Sequence, residues 1–378
     1  MRATVILVLW LSALAVSAAQ TRSVFPGTLD QHPAIDYKNA TAADPASQLQ
    51  RVVEGGAPLT FEGEQGYLRA VLSRLNVPVE SQILVFSKTG IQHPFTEPEN
   101  PRALYFNDRV VVGYIPGAPL IEMASHDPRQ GVMFRTLAQD ASRAAFARPD
   151  RCISCHLSSN SLDVPGILVR SMSTAADGRP MPQDGSFVID HRAPLEQRWA
   201  GWFVTNVRPE VKHLGKPVDA RVDRSRYPLP TSDVAALLVF DHQGHAINVL
   251  TRLGWETRAA EAEGKPDFTK GDLAGILNEA VDYFLFADEA ALESPLAEVS
   301  PFASVFQAAG ARDGQGRSLR DLDLKTRVFR YRCSYMIYSP AFDALPAAAR
   351  AAFLSRLRAR LTDRDTIAIL DETKAGWR

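Results

Sequence analysis

The residues with the most chemistry to offer stand together in Cys152-Ile153-Ser154-Cys155-His156. C-x-x-C-H is the spacing at which a haem is attached covalently. On a helix, positions i, i+3 and i+4 share a face, so Cys152, Cys155 and His156 can be presented together. That suits two thiols adding across the two haem vinyl groups while the adjacent imidazole reaches the iron as proximal ligand. Cysteine and histidine are scarce, at 3 and 8 of 378 residues, so composition alone does not produce the pentad. A redox dithiol needs a strand before it and a βαβ setting. Residues 140–151 instead read as polar helix or loop. A zinc site needs further ligands, and no second C-x-x-C or H-x₃-H follows at the required spacing.

What completes the iron's coordination decides the chemistry. A Met raises the potential, a second His generally gives a lower one, and an open position admits ligands. Met181 lies in the proline-stiffened Arg179-Pro180-Met181-Pro182, and His191 closes a strand in Asp190-His191-Arg192-Ala193-Pro194. Asp190 or a carbonyl can orient the second nitrogen of His191, as metal-bound imidazoles require. His191 or Met181 is therefore the expected distal ligand. Met172 reads as core, and His213 and His245 stand in less suitable settings. His242 and His245, at i and i+3 beside Asp241, read as a solvated polar helix face rather than a metal site. Trp199 and Trp202 suit either a haem edge or an ordinary core. Cys333 reads as a buried small hydrophobe. Arginines such as Arg330 and Arg332 can pair with haem propionates, but spacing selects none.

The elements around these residues divide the chain. Met1-Arg2, the apolar run Ala3 to Val16 and the small residues Val16-Ser17-Ala18-Ala19 read as a signal peptide over 1–19. The run is too short to span a bilayer, and no other stretch is long enough, so no transmembrane segment is expected after cleavage. The mature protein is expected to be periplasmic or secreted, the side on which bacterial haem attachment occurs. Three cysteines in an oxidising compartment mean that disulfides do not hold this fold.

With a net charge of −1, the chain lacks the basic surplus of a nucleic-acid binder. At 46% hydrophobic residues it can build one large core or two domains. Residues 20–60 are irregular apart from one helix, with Asp44 as cap, Pro45 in the first turn and Gly55-Gly56 at the end. Over 61–145, Leu68, Val71, Leu72 and Leu75 mark a helix. Strands follow at 83–86, 103–106, 109–115, 120–124 and 132–137, with turns at Asn107-Asp108, Pro116-Gly117 and 127–131.

Residues 146–230 form the haem-binding region, with strands expected at 167–171 and 201–207. From 231 to 378 the chain reads as mainly helical. Thr231 caps the first helix, Thr269 and Asp272 form a capping box, and Phe353, Leu354, Leu357 and Leu361 face inward on a later helix. The fold class is thus α+β: an antiparallel β meander, then a helical haem-attachment segment, then a mainly α-helical C-terminal region.

The pentad resembles that of monohaem c-type cytochromes. More broadly, over roughly residues 100–370, the chain resembles exported bacterial proteins described as cytochrome c domain-containing. The matching stretches are Cys152 to His156, Val164-Pro165-Gly166, Asp190 to Pro194, Arg198 to Thr205, Leu250-Thr251-Arg252, Gly316 to Asp321 and Cys333-Ser334-Tyr335. The resemblance implies one covalent haem c and redox partner proteins, without a settled reaction. It favours His191, inside a matched stretch, over Met181. Di-haem peroxidases carry two C-x-x-C-H motifs, whereas this chain has one. The expected function is a periplasmic monohaem cytochrome passing single electrons. The alternatives are a haem-dependent oxidoreductase, peroxidase-like or acting on sulfur compounds, with an open distal site, and a haem-bearing sensor or respiratory subunit. Whether the protein is an enzyme stays open.

Overall fold

The computed structural model describes residues 28–377 except 265 and 298. The expected signal peptide lies outside them. The meander is present as β1 (Ile83–Val85), β2 (Arg102–Phe106), β3 (Val110–Tyr114), β4 (Leu120–Asp127) and β5 (Gly131–Ala138), each antiparallel to its neighbour in chain order. Its turns are built by side chains that accept backbone N–H groups. Asn107 Oδ1 takes those of Arg109 and Val110, and Asp127 Oδ1 those of Arg129 and Gln130. Gly131 adopts φ 80°, which a β-branched residue would resist. A sixth strand, β6 (Phe146–Ala147), pairs with β5 where the sequence reads as loop or helix. Two residues are too short a run for alternation to register.

Both faces of this sheet are covered, so β3 is buried throughout. Val110, Val112 and Tyr114 pack with Leu68, Val71 and Leu72 of α2 (Leu68–Arg74) and with Leu49 of α1 (Pro45–Glu54). The α1 cap is as expected: Asp44 accepts from the Ser47 N–H at 3.0 Å. The alternate residues Phe106, Val111 and Phe134 face the larger core.

That core is organised by a long helix, α4 (Val234–Ala262), buried nearly all round. Its cap is Asp233 rather than Thr231, since Asp233 accepts from the Ala235 N–H while Thr231 lies outside the first turn. Around it lie α5 (Gly271–Phe284), α6 (Pro301–Ala308), α7 (Pro340–Asp343), α8 (Ala347–Arg360) and α9 (Arg364–Thr373). The capping box expected at Thr269 does not form. Lys270 is the N-cap, and the Thr269 hydroxyl donates to Asp267 instead. The inward residues of α5 and α8 are those that periodicity selects.

Between sheet and helices, a short α3 (Ile153–His156) is followed by a two-stranded ladder of β7 (Arg170–Met172) and β8 (Ser186–Val188). Residues 201–207 form only isolated bridges, Trp202 to Val85, Phe203 to Lys216 and Thr205 to Asp233. Gly201 sits at φ 83° against Ser87, which breaks an extended run. The larger core draws residues from the sheet, the middle region and the C-terminal helices. Among the described residues, no helix is long and apolar enough to cross a membrane.

Candidate haem-attachment site

Pro149 opens a 3₁₀ turn, Asp150–Cys152, that runs directly into α3. The helix ends within one turn because its carbonyls are taken from outside. His156 O accepts from the Gly166 N–H and from the Ser161 hydroxyl, both at 3.0 Å. Ser158 and Ser161 exchange side-chain and backbone bonds in a reciprocal cap, and Leu162 and Asp163 turn the chain through left-handed φ. The chain is thereby brought back across His156.

The His156 imidazole is fixed by this return. Its Nδ1 lies 3.0 Å from Gly166 O. A carbonyl only accepts, so Nδ1 carries the proton and Nε2 keeps its lone pair, the tautomer a metal needs. Nε2 has no hydrogen-bond partner among the described residues. Burial lowers the imidazole pKa, which favours the neutral ring. Gly166 is held in turn by α4. Asn248 accepts from the Ile167 N–H at 2.8 Å and donates to Ile167 O at 2.7 Å. A Cβ on Gly166 would come within 2.2 Å of Asn248 Oδ1, so only glycine allows this approach.

Cys152, Cys155 and His156 line one cavity of about 250 Å³ between the inner sheet face and α4. Cys152 is half-buried and Cys155 exposed, and all three cysteines are free thiols. Burial, with a smaller contribution from Glu122, raises the Cys152 thiol. The Phe134 ring lies 4.6 Å from the His156 ring, and Trp202 and Phe240 form further wall. The floor is kept low by small residues. In the cross-strand row Leu104, Gly113, Glu122, Thr136, glycine stands where a side chain would project into the space. A Cβ there would lie 3.4 Å from Leu104 and 3.5 Å from Glu122.

The cavity has a cationic rim of Arg102, Arg151 and Arg170. The Arg170 guanidinium has no hydrogen-bond or ion-pair partner among the described residues, and its Nε is buried. Arg170 is partly buried, and a partly desolvated cation without a carboxylate beside it favours an anionic ligand at this rim. Haem propionates meet that requirement. The donor set, the free Nε2, the glycine cradle and the orphaned guanidinium together fit a haem. Arg330 and Arg332 do not line the cavity.

Neither expected distal ligand reaches this space. Met181 lies in a loop with its sulfur 3.5 Å from Gln183 Nε2, and His191 is 1% exposed among other residues. Of the described residues lining the cavity, His156 is the one histidine. Met123 contributes to the wall, but its side chain belongs to the core on the opposite face of the sheet.

His191 instead joins a buried polar cluster on α4. Its Nδ1 lies in hydrogen-bond contact with His242 Nδ1 at 2.8 Å, and His242 Nε2 lies 2.7 Å from the Ser334 hydroxyl. Tyr283 stacks on His242 and donates to its carbonyl. Arg192 binds Asp190 at 2.6 Å and donates to His245 Nε2 at 3.1 Å. Burial pushes His242 down to about 3 and His245 to about 4. The face expected to be solvated is instead packed: His242 is fully buried under Phe329, Ser334 and Tyr335, and His245 is 11% exposed against Asp190, Arg192 and Tyr283. Arg198 and the Trp199 indole both donate to Asp241, so Trp199 is structural while Trp202 lines the cavity. Among the described residues, no group of three or more His, Cys, Asp or Glu is placed to hold a metal ion. Cys333 is fully buried, its thiol pushed up to about 12 by burial.

Sequence reasoning missed Gly166, Asn248, Gly113, Arg170, Arg102 and Glu122. Gly113 left a signal, as a glycine inside a Val-rich strand, and Gly166 stood in a matched stretch without a role assigned to it. No protein-family profile, curated protein or solved structure matches the chain.

Proposed function

We propose that this is an exported protein carrying one covalent haem c, which exchanges single electrons with redox partner proteins and keeps its distal axial position open to a small ligand. The observation that carries this reading is the shared cavity of Cys152, Cys155 and His156, whose described lining offers a free imidazole nitrogen and no second histidine, with the Met123 side chain packed on the opposite face of the sheet. Cys152 and Cys155 would anchor the group, His156 would be its proximal ligand, and Arg170 would face its propionates. When bound, the haem supplies one-electron chemistry and an axial site. The chain fixes the imidazole through Gly166, excludes water with Phe134, Trp202 and Phe240, and sets the local charge with its arginines.

The open position favours the oxidoreductase or sensor alternatives over a sealed electron carrier. Reduced holoprotein mixed with carbon monoxide tests this. Rapid formation of a carbonyl spectrum, unchanged by Met181→Leu, is expected. A six-coordinate spectrum indifferent to carbon monoxide would overturn the open position. Loss of haem staining on a denaturing gel in the double variant Cys152→Ala/Cys155→Ala is expected, and its persistence would overturn covalent attachment.

A further inference from the structure

We infer that Glu122 is the proton-accepting group of the cavity, held by Gln92 and Arg102, and that the cavity takes a small protic ligand, such as a hydroperoxide, that binds iron as its conjugate anion. This rests on the proposed haem site. Glu122 projects from β4 into the space above Gly113, and its Oε2 is 3.7 Å from the point a Gly113 Cβ would occupy. Its side chain is 20% exposed, and it lines the same cavity as His156 and both attachment cysteines. It lies in the row of the sheet next to that of Phe134, against which His156 packs.

The neighbours of Glu122 leave it little freedom. Gln92 is 4% exposed and pairs both ways with the backbone of Leu120: its Oε1 accepts from the Leu120 N–H and its Nε2 donates to Leu120 O, each at 3.0 Å. That reciprocal pairing fixes which end of the amide is which. The remaining N–H of Gln92 therefore points at Glu122 Oε1, 2.9 Å away. Arg102 lies 3.4 Å from Oε2 on the other side. Gly90 makes room for it, since a Cβ there would fall 2.4 Å from the guanidinium. One carboxylate oxygen thus accepts from the Gln92 amide, while the other accepts a long bond from Arg102 at 3.4 Å and has lone-pair capacity left for a proton. Glu122 is the one carboxylate among the described lining residues, and it is flanked by positive charge.

The consequence is selective. A ligand H–X entering the cavity breaks its H–X bond, the proton passes to Glu122 Oε2, and the electron pair stays on X as it binds the oxidised iron. No oxidant or reductant is consumed. A ligand without a proton to lose, such as carbon monoxide, gains nothing from Glu122.

The test uses haem-loaded protein, with hydrogen cyanide on the ferric form and carbon monoxide on the ferrous form, followed by stopped-flow. Glu122→Gln is expected to slow cyanide association by about 100-fold, as removal of a positioned base does, while changing carbon monoxide association less than about twofold. Gln92→Leu, which keeps the carboxylate but loses its holder, is expected to slow cyanide by a smaller factor and provides the reading if Glu122→Gln does not fold. Cyanide rates within about twofold of wild type in the folded variants would overturn the inference. So would equal slowing of both ligands, which indicates altered access. Wild-type protein without covalent haem fails the site itself, a separate outcome visible before any variant is mixed.

Discussion

The His156 imidazole rests its Nδ1 proton on the carbonyl of Gly166, ten residues on, at 3.0 Å. That carbonyl is held by Asn248, which grips both backbone groups of Ile167 from α4. The orientation of the candidate iron ligand is therefore set by a helix that begins 78 residues beyond it.

Asn248→Ala should expose the cost of this grip. The buried N–H and C=O of Ile167 lose their partners, and about 3 kcal/mol of stability is expected to go with them. The denaturant midpoint of the variant should fall, and the haem absorption should shift as Gly166 relaxes. An unchanged midpoint would mean that the clamp contributes nothing.

Arg170→Gln separates two states of the protein. Because the guanidinium has no partner among the described residues, the haem-free fold should be as stable as wild type or slightly more so. Haem-loaded protein should show an altered midpoint potential, as a propionate counter-charge is lost. Thermal unfolding of both states, with redox titration of the loaded one, checks this.

Gly113→Val tests whether the cradle is where haem sits. Valine suits a strand, and the space at this position admits a Cβ in ordinary contact, so the fold should persist. Covalent haem yield should fall several-fold relative to wild type, read by staining against total protein. Equal yields would place the haem elsewhere.

Acid should weaken the fold from about pH 6.5 downward. Burial depresses the imidazoles of His242 to about 3, and of His245 and His126 to about 4. Between those values and the ordinary 6.5, these three imidazoles bind more protons in the unfolded chain than in the folded one, so together they make stability rise with pH and outweigh the opposite contribution of Asp241, which burial raises to about 7. The imidazoles' contribution is complete above about 6.5 and is lost progressively as pH falls toward 4. Asp190, held low by His245 and Arg192 against its own burial, adds a further loss only below the ordinary carboxylate value. Urea midpoints should fall between pH 7.5 and 4.5; a flat profile would contradict the buried, neutral imidazoles.

The sequence by itself determined the pentad, five strands of the meander, the Asp44 cap, and the inward faces of α2, α5 and α8. Each of these is written in spacings of two to four residues, where backbone geometry alone decides which side chains share a face. The tertiary structure decided where those faces lead. Cavity-lining residues such as Arg102, Gly113, Glu122, His156 and Arg170 come from separate elements, and sheet register and loop closure alone bring them together. His191 shows the same limit in reverse. Its local sequence suits a metal ligand, yet its nearest partner, His242, stands 51 residues away on a helix whose polar residues are buried by the chain's last third. A buried polar group takes whatever partner the packed interior offers, and that partner is not a local property of the chain.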